Sequence, residues 1–141
     1  MLHKFLADRL TLEPASGDGA HRAKVQGDQG VWTLVATERA DVHQVVFWSV
    51  LPARVAEERR LAMAELITRI NAGMHIGCFE LDFDDGEVRF RTSAPMPVWN
   101  DATAEQLLWL NIEMTDRYFL AILEIAYSTA TAEEALALSE G

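Results

Sequence analysis

The stretch from Pro52 to Thr92, PARVAEERRLAMAELITRINAGMHIGCFELDFDDGEVRFRT, contains two hydrophobic periods in succession. In its first half Val55, Ala62, Met63, Leu66, Ile67 and Ile70 recur at three- and four-residue spacing, while Glu57, Glu58, Arg60, Glu65 and Arg69 mostly fall elsewhere. That is the pattern of an amphipathic helix with one packed face. Pro52 suits a first helical turn, where its missing N–H is no loss, and Glu57 and Glu58 suit the positive helix end, so the helix is expected to begin near Pro52. Gly73, just beyond the stripe, is expected to close it in the left-handed conformation.

From Phe79 the period becomes two: Phe79, Leu81 and Phe83 share one face, Glu80, Asp82 and Asp84 the other, as in a half-buried strand. Asp85-Gly86 reads as a two-residue hairpin turn, after which Val88 and Phe90 resume the apolar face. That turn sets Asp82 opposite Arg89 and Glu80 opposite Arg91, each unlike pair contributing roughly 0.2–1 kcal/mol.

Working outward, Leu2, Phe5, Leu6 and Leu10 mark an N-terminal helix within Leu2–Leu12, followed by a breaker-rich loop from Pro14 to Gly19. Strands are expected at His21–Gln26, Val31–Thr37 and Val42–Leu51, with connections short enough for a meander. The third is apolar on both faces (Val42, Val46, Trp48 and Val50 against Val45, Phe47 and Leu51) and is expected to be covered on both sides. Beyond Pro95 and Pro97, Thr103 and Gln106 form a capping-box pattern opening a helix to about Ala126. Its charged residues Glu113, Asp116, Arg117 and Glu124 fill a narrow arc, so the wide apolar remainder is expected to be buried on more than one side; Trp109 and Leu120 fall within or beside that arc. Thr131 and Glu134 repeat the capping-box pattern for a short last helix through Leu138. The order α-β-β-β-α-β-β-α with a helical tail predicts a single α+β domain over 1–141, an antiparallel five-stranded sheet packed with helices.

Composition narrows function. With 22 acidic against 12 basic residues the net charge is −10, which repels phosphate backbones and anionic lipid, so nucleic acid and membrane are not expected partners. No apolar run approaches the roughly 20 residues that span a bilayer, and Met1-Leu2-His3-Lys4 opens no secretory segment, so a cytoplasmic location is expected. The single cysteine, Cys78, fits a reducing compartment.

Leu51-Pro52, the helix ending Ile70-Asn71-Ala72, Gly77-Cys78-Phe79-Glu80-Leu81-Asp82 and Asp85-Gly86-Glu87-Val88 together resemble the YbjN family, over roughly Val42 to Leu138. The resemblance implies a fold similar to the type III secretion chaperones, small acidic dimers that hold extended segments of client proteins. It therefore implies a non-enzymatic interaction protein and brings no catalytic residues with it.

The residues themselves offer little chemistry. Asp82-Phe83-Asp84-Asp85-Gly86 approaches a calcium loop, but its glycine is fifth where such a loop needs it sixth, so no metal is expected. His75 and Cys78 lack the third group that orients an activated nucleophile, and neither a phosphate loop nor another cofactor motif is present. Trp32, Trp48 and Trp99 read as packing residues. Two function classes remain. The first is a chaperone-like or regulatory module binding extended client segments, which from the acidic surface are expected to alternate hydrophobic with basic residues. The alternative is a small-ligand binder or enzyme using, for example, Glu80 and Asp82 with His75. A homodimer is expected through Trp109 and Leu120, joined by Val46 and Trp48 of the third strand, unless the last helix folds back over Trp109 and Leu120 within one chain.

Overall fold

The computed structural model describes residues 1–140. Its elements, in order, are α1 (Leu2–Ala7), β1 (His21–Gln26), β2 (Val31–Arg39), β3 (Gln44–Arg54), α2 (Arg60–Asn71), β4 (Cys78–Leu81), β5 (Glu87–Pro95), α3 (Asp101–Tyr127) and α4 (Ala132–Ala137). The strands form one antiparallel sheet in the order β1-β2-β3-β5-β4, the expected α+β architecture. One face of that sheet holds Trp32, Leu34, Phe47, Phe79, Val88 and Phe90, which share a single core with Leu6 of α1, Leu66 of α2, Leu108 and Ile122 of α3 and Ala135 of α4. All four helices therefore lie on this inner face.

A buried polar network seats α3 on the sheet. The Asn111 amide nitrogen faces the carbonyls of Phe47 at 3.0 Å and Phe90 at 3.2 Å and the Thr92 hydroxyl at 3.1 Å. Its carbonyl oxygen accepts from Ser49, whose hydroxyl in turn accepts from the Trp32 indole N–H at 2.9 Å. The Thr92 hydroxyl donates to the carbonyl of Leu107 at 3.1 Å, and that of Thr115 to the carbonyl of Asn111 at 2.8 Å. Ser49, Thr92, Asn111 and Thr115 are all buried, and buried polar groups persist only when bonded in this way. The β1–β2 turn docks on the same helix: the Gln29 N–H donates to Asp116 at 2.8 Å, and a side chain at Gly30 would run into the ring of Phe119. As expected, α3 is buried on more than one side, by the sheet and by α2 and α4.

Several sequence expectations are corrected. Pro52 does not open the helix; it lies in β3, where the ladder to β5 shifts between Val50 and Arg54. A strand tolerates proline at such an irregularity because no ladder bond there needs its N–H. The helix begins later, with a 3-10 turn at Glu57–Arg59 leading into α2. Gly73 is not left-handed; the positive-φ glycines are Gly17, Gly19, Gly77 and Gly86. In the β4–β5 hairpin Glu80 lies opposite Arg89 and Cys78 opposite Arg91, two residues from the expected register. The aspartates explain the slip. Asp82 accepts from the Asp84 N–H at 2.8 Å and Asp85 from the Glu87 N–H at 2.9 Å, while the Asp82 N–H reaches the Glu87 carbonyl at 2.9 Å, closing a wider loop than two residues. Short carboxylates that bond backbone two residues on favour such loops.

The helix ends follow the same logic. Asn100, not Thr103, caps α3: its side chain accepts from the Thr103 N–H at 2.9 Å. Thr131 caps α4 as expected, accepting from the Glu134 N–H at 3.1 Å. The N-terminal helix stops at Ala7, and Leu12 instead bridges to Ala23.

Candidate interaction surface

Period-two alternation sends every second strand residue to the outer face of the sheet, away from the helices. There the register aligns Arg22, Val35, Trp48, Arg91 and Cys78 in one row across the five strands, and Lys24, Thr33, Val50, Arg89 and Glu80 in the next. Over the first four strands both rows run cation, two neutral residues, cation; on β4 the first ends in Cys78 and the second in the anion Glu80. Val35, Trp48 and Val50 are half-buried and, with Glu87 and Arg89, line a hollow of about 150 Å³. Contrary to the expectation for the two-faced third strand, no helical layer covers them; Trp48 is shielded by its neighbours, the Arg89 guanidinium lying 5.9 Å from its ring centre. Val42, expected on this face, lies in the preceding turn and is exposed.

The charges on this face are shared rather than paired one to one. Glu80 lies 3.2 Å from Arg89 and 3.4 Å from Arg91, and Glu87 lies 3.1 Å from Arg54 and 3.7 Å from Arg89. Arg54 also reaches Asp85 at 2.8 Å. The Asp85 carboxyl is lowered below its ordinary pKa by the Glu87 backbone N–H and then by Arg54. Arg22 is held by Asp18 at 2.7 Å; that bond, the Ala20 N–H and the Ser16 hydroxyl keep the Asp18 carboxyl well below the usual carboxylate range. Lys24 differs, its ammonium donating to the Thr33 hydroxyl at 2.9 Å.

Each sheet edge is occupied at the second residue of its strand. At β4 the Asn71 side chain acts as a surrogate strand, accepting from the Phe79 N–H at 2.9 Å and donating to the Phe79 carbonyl at 3.0 Å. At β1 the Glu13 N–H takes the Arg22 carbonyl at 2.8 Å. An edge whose N–H and C=O groups are occupied offers little to an added strand, which leaves the outer face as the larger surface.

The residues singled out from sequence are dispersed. Trp109 and Leu120 are exposed, at 39% and 44%, on the side of α3 away from the sheet, whereas Val46 and Trp48 lie on the outer sheet face with Val46 buried. The four thus occupy opposite sides of the molecule and cannot share one interface. Nor does α4 cover Trp109 and Leu120; it lies along α2, with Arg59 before α2 bonding the carbonyls of Ile125 and Ala130 and Arg69 in its last turn pairing with Glu133 at 3.3 Å. Glu80 is engaged by arginines on the outer face, while His75 lines an apolar hollow of about 260 Å³ with Met74, Ile76, Leu110 and Met114. Of the would-be calcium loop, the Asp82 and Asp85 carboxylates are used by its own turn and by Arg54. Among the described residues no helix is long and apolar enough to cross a membrane. Sequence reading missed Lys24, Val35 and the role of Arg89. The alternation of Arg22 and Lys24 with Ala23 and Val25 was a usable signal, but only the strand order puts those cations across from Arg89 and Arg91.

The architecture is an α+β sandwich with one sheet face left uncovered. The chain belongs to the YbjN family, whose model, described as "Putative bacterial sensory transduction regulator", matches residues 2–124. The match takes in the first forty residues, in which the sequence showed no family signature, and stops short of α4. The crystal structure of YbjN, "a putative transcription regulator from E. coli", superposes with a TM-score of 0.60 at 15% identity, covering 79% of this chain and 81% of that one. At that identity the likeness shows the fold. The structure of the HopA1-SchA chaperone-effector complex aligns at a TM-score of 0.49 and 14% identity, over 74% of this chain and 76% of that one. No curated protein matches the chain.

Proposed function

We propose that this chain is a non-enzymatic, regulatory interaction module, acting in the cytoplasm, that holds an extended segment of a client protein against the outer face of its sheet. The observation that supports this most directly is the half-buried cluster of Val35, Trp48 and Val50 at the centre of a sheet face with no layer over it. Apolar centres rimmed by charge are the usual form of a protein-binding patch. The family description as a regulator is in keeping with it. A photoreactive residue in place of Val35, in cells making the full chain, is expected to yield adducts of defined mass, and one in place of exposed Thr68 on α2 is expected to yield none. Adducts from position 68 alone, or none from either, would remove the sheet face as the working surface.

We propose further that the exposed stripe of α3 joins two copies. Trp109, Glu113, Arg117 and Leu120 follow one another at three- and four-residue spacing, with exposed Tyr127 beyond them. If two α3 helices cross antiparallel about Thr115, Trp109 meets Leu120 of the second copy and Glu113 approaches its Arg117, a self-complementary arrangement suited to two-fold symmetry. Burying these side chains contributes on the order of 10 kcal/mol against an association cost of about 4–15 kcal/mol. Since Val46 and Trp48 cannot join them, the dimer should depend on concentration. Trp109→Glu should give a folded, soluble monomer in sedimentation at micromolar concentration; a wild-type chain that is already monomeric there would remove the dimer.

A further inference from the structure

We infer that the segment held by the outer sheet face is acidic, with carboxylates alternating about a large apolar residue. This rests on reading that face as the interaction surface and concerns the chemistry of what it takes. Arg22, Lys24, Arg39, Arg54, Arg89 and Arg91 occupy outward strand positions, half of the 12 basic residues in the chain, against Glu80 and Glu87 on the strands and Asp18, Asp41 and Asp85, which reach Arg22, Arg39 and Arg54 from the flanking turns, leaving Lys24 with no carboxylate partner. The excess that makes the chain −10 therefore lies on its helical side and in its loops. Net charge pointed to basic clients, whereas the local field of the uncovered sheet face points to the opposite sign, and it is the local field that selects a docking segment.

Three details sharpen the match. The Lys24 ammonium has a hydroxyl, not a carboxylate, as its partner, and Arg89 and Arg91 share Glu80, with Glu87 a further 3.7 Å contact of Arg89. The Trp48 indole N–H is buried without an acceptor, and its direct cross-strand neighbour Arg91 has only the shared Glu80 carboxylate, 3.4 Å from its Nε. A small turn of the Trp48 side chain toward an incoming carboxylate would supply the missing acceptor, as buried donors require. Spacing agrees as well. Lys24 and Arg89 stand three strands apart, roughly 14 Å at about 4.8 Å per strand. An extended segment advances about 3.4 Å per residue, so side chains at i and i+4 on its one face are also roughly 14 Å apart. A segment lying across the strands with carboxylates at i and i+4 would place its i+2 residue over the hollow between Val35, Trp48 and Val50. The recognised pattern is acid-x-apolar-x-acid. The α3 stripe of a second copy carries Arg117 beside Glu113, and face-to-helix docking would generate open-ended chains.

The probes are the peptide Ser-Glu-Thr-Leu-Thr-Glu-Ser, its counterpart with lysine for glutamate, and a single-stranded oligonucleotide, each titrated into the full chain while the Trp48 indole resonance, assigned with Trp48→Phe, is followed by NMR. The acidic peptide should shift that resonance, with affinity that falls as salt rises. Lys24→Glu should weaken it about fivefold at unchanged melting temperature, since Lys24 is exposed and bonded to one hydroxyl. The lysine peptide should leave the resonance unmoved. Tighter binding of the lysine peptide or of the oligonucleotide, no shift with any probe, or a Lys24→Glu variant that binds as well as wild type would each overturn the inference. Adducts from position 35 in cells, combined with failure of the acidic peptide, would sink the charge assignment while the surface stands; absence of both would sink the two together.

Discussion

Replacing Asn111 with alanine should lower the free energy of unfolding by about 3–5 kcal/mol, the largest loss expected from any single polar residue here. Its amide is the hub through which α3 reaches β3 and β5. With it gone, the Ser49 hydroxyl loses its acceptor, and the carbonyls of Phe47 and Phe90 lose a donor inside a core where water does not reach. Each orphaned buried group costs about 1–3 kcal/mol; Thr92 is spared the full penalty because it keeps the Leu107 carbonyl. Asn111→Leu restores volume but not the bonds and should recover less than half of the loss. Urea unfolding of Asn111→Ala, Ser49→Ala and the double variant provides the check. The two losses should be markedly non-additive, because both changes dismantle one network; additive losses, or an Asn111→Ala loss below about 1 kcal/mol, would show that the amide is not its hub.

Gly86→Ala should be nearly as damaging, about 3 kcal/mol or more, and for a different reason. Gly86 is buried at φ +80°, and an added methyl would overlap the backbone of Val55, whose N–H donates to the Gly86 carbonyl at 2.8 Å. The left-handed backbone alone disfavours alanine by about 1 kcal/mol. The overlap is with main chain, which cannot turn aside as a side chain would, so relief requires the hairpin to separate from the end of β3. Gly73→Ala is the internal control. Its backbone is not left-handed and a methyl there meets only the Ile70 carbonyl at 3.8 Å, so its effect should stay within about 0.5 kcal/mol. Comparable losses at the two glycines, read from melting or urea midpoints, would contradict this account.

The candidate surface was legible only in part. Trp48 stood out because a tryptophan on the second face of an apolar strand asks what covers it; Val35 and Val50 did not, since an outward valine in an alternating strand is unremarkable. Asn111 was hidden by its setting, a single amide among the apolar residues of α3, where period says that a residue faces inward but not that its side chain finds four polar atoms there. Asn71 was noticed as part of a family resemblance, and its physical task, closing the β4 edge, depends on where the end of α2 falls beside Phe79.

The order of elements, the inward stripe of α2, the inward placing of Phe79, Val88 and Phe90, and the Thr131 cap follow from the sequence by itself, because they rest on local period and on bonds within a few residues. The β4–β5 register did not: a slip of two leaves each side chain on its own face, so alternation cannot detect it, and the turn carboxylates decided it. Pro52 obeyed the same limit, a helix starter by type and a strand irregularity by contact with β5. The sequence also determined the total charge, −10, but not its placement. Only the strand order, with β1 and β5 flanking the neutral centres of β2 and β3, collects the cations around Trp48, because the sign of a surface is set by which distant segments the sheet brings side by side.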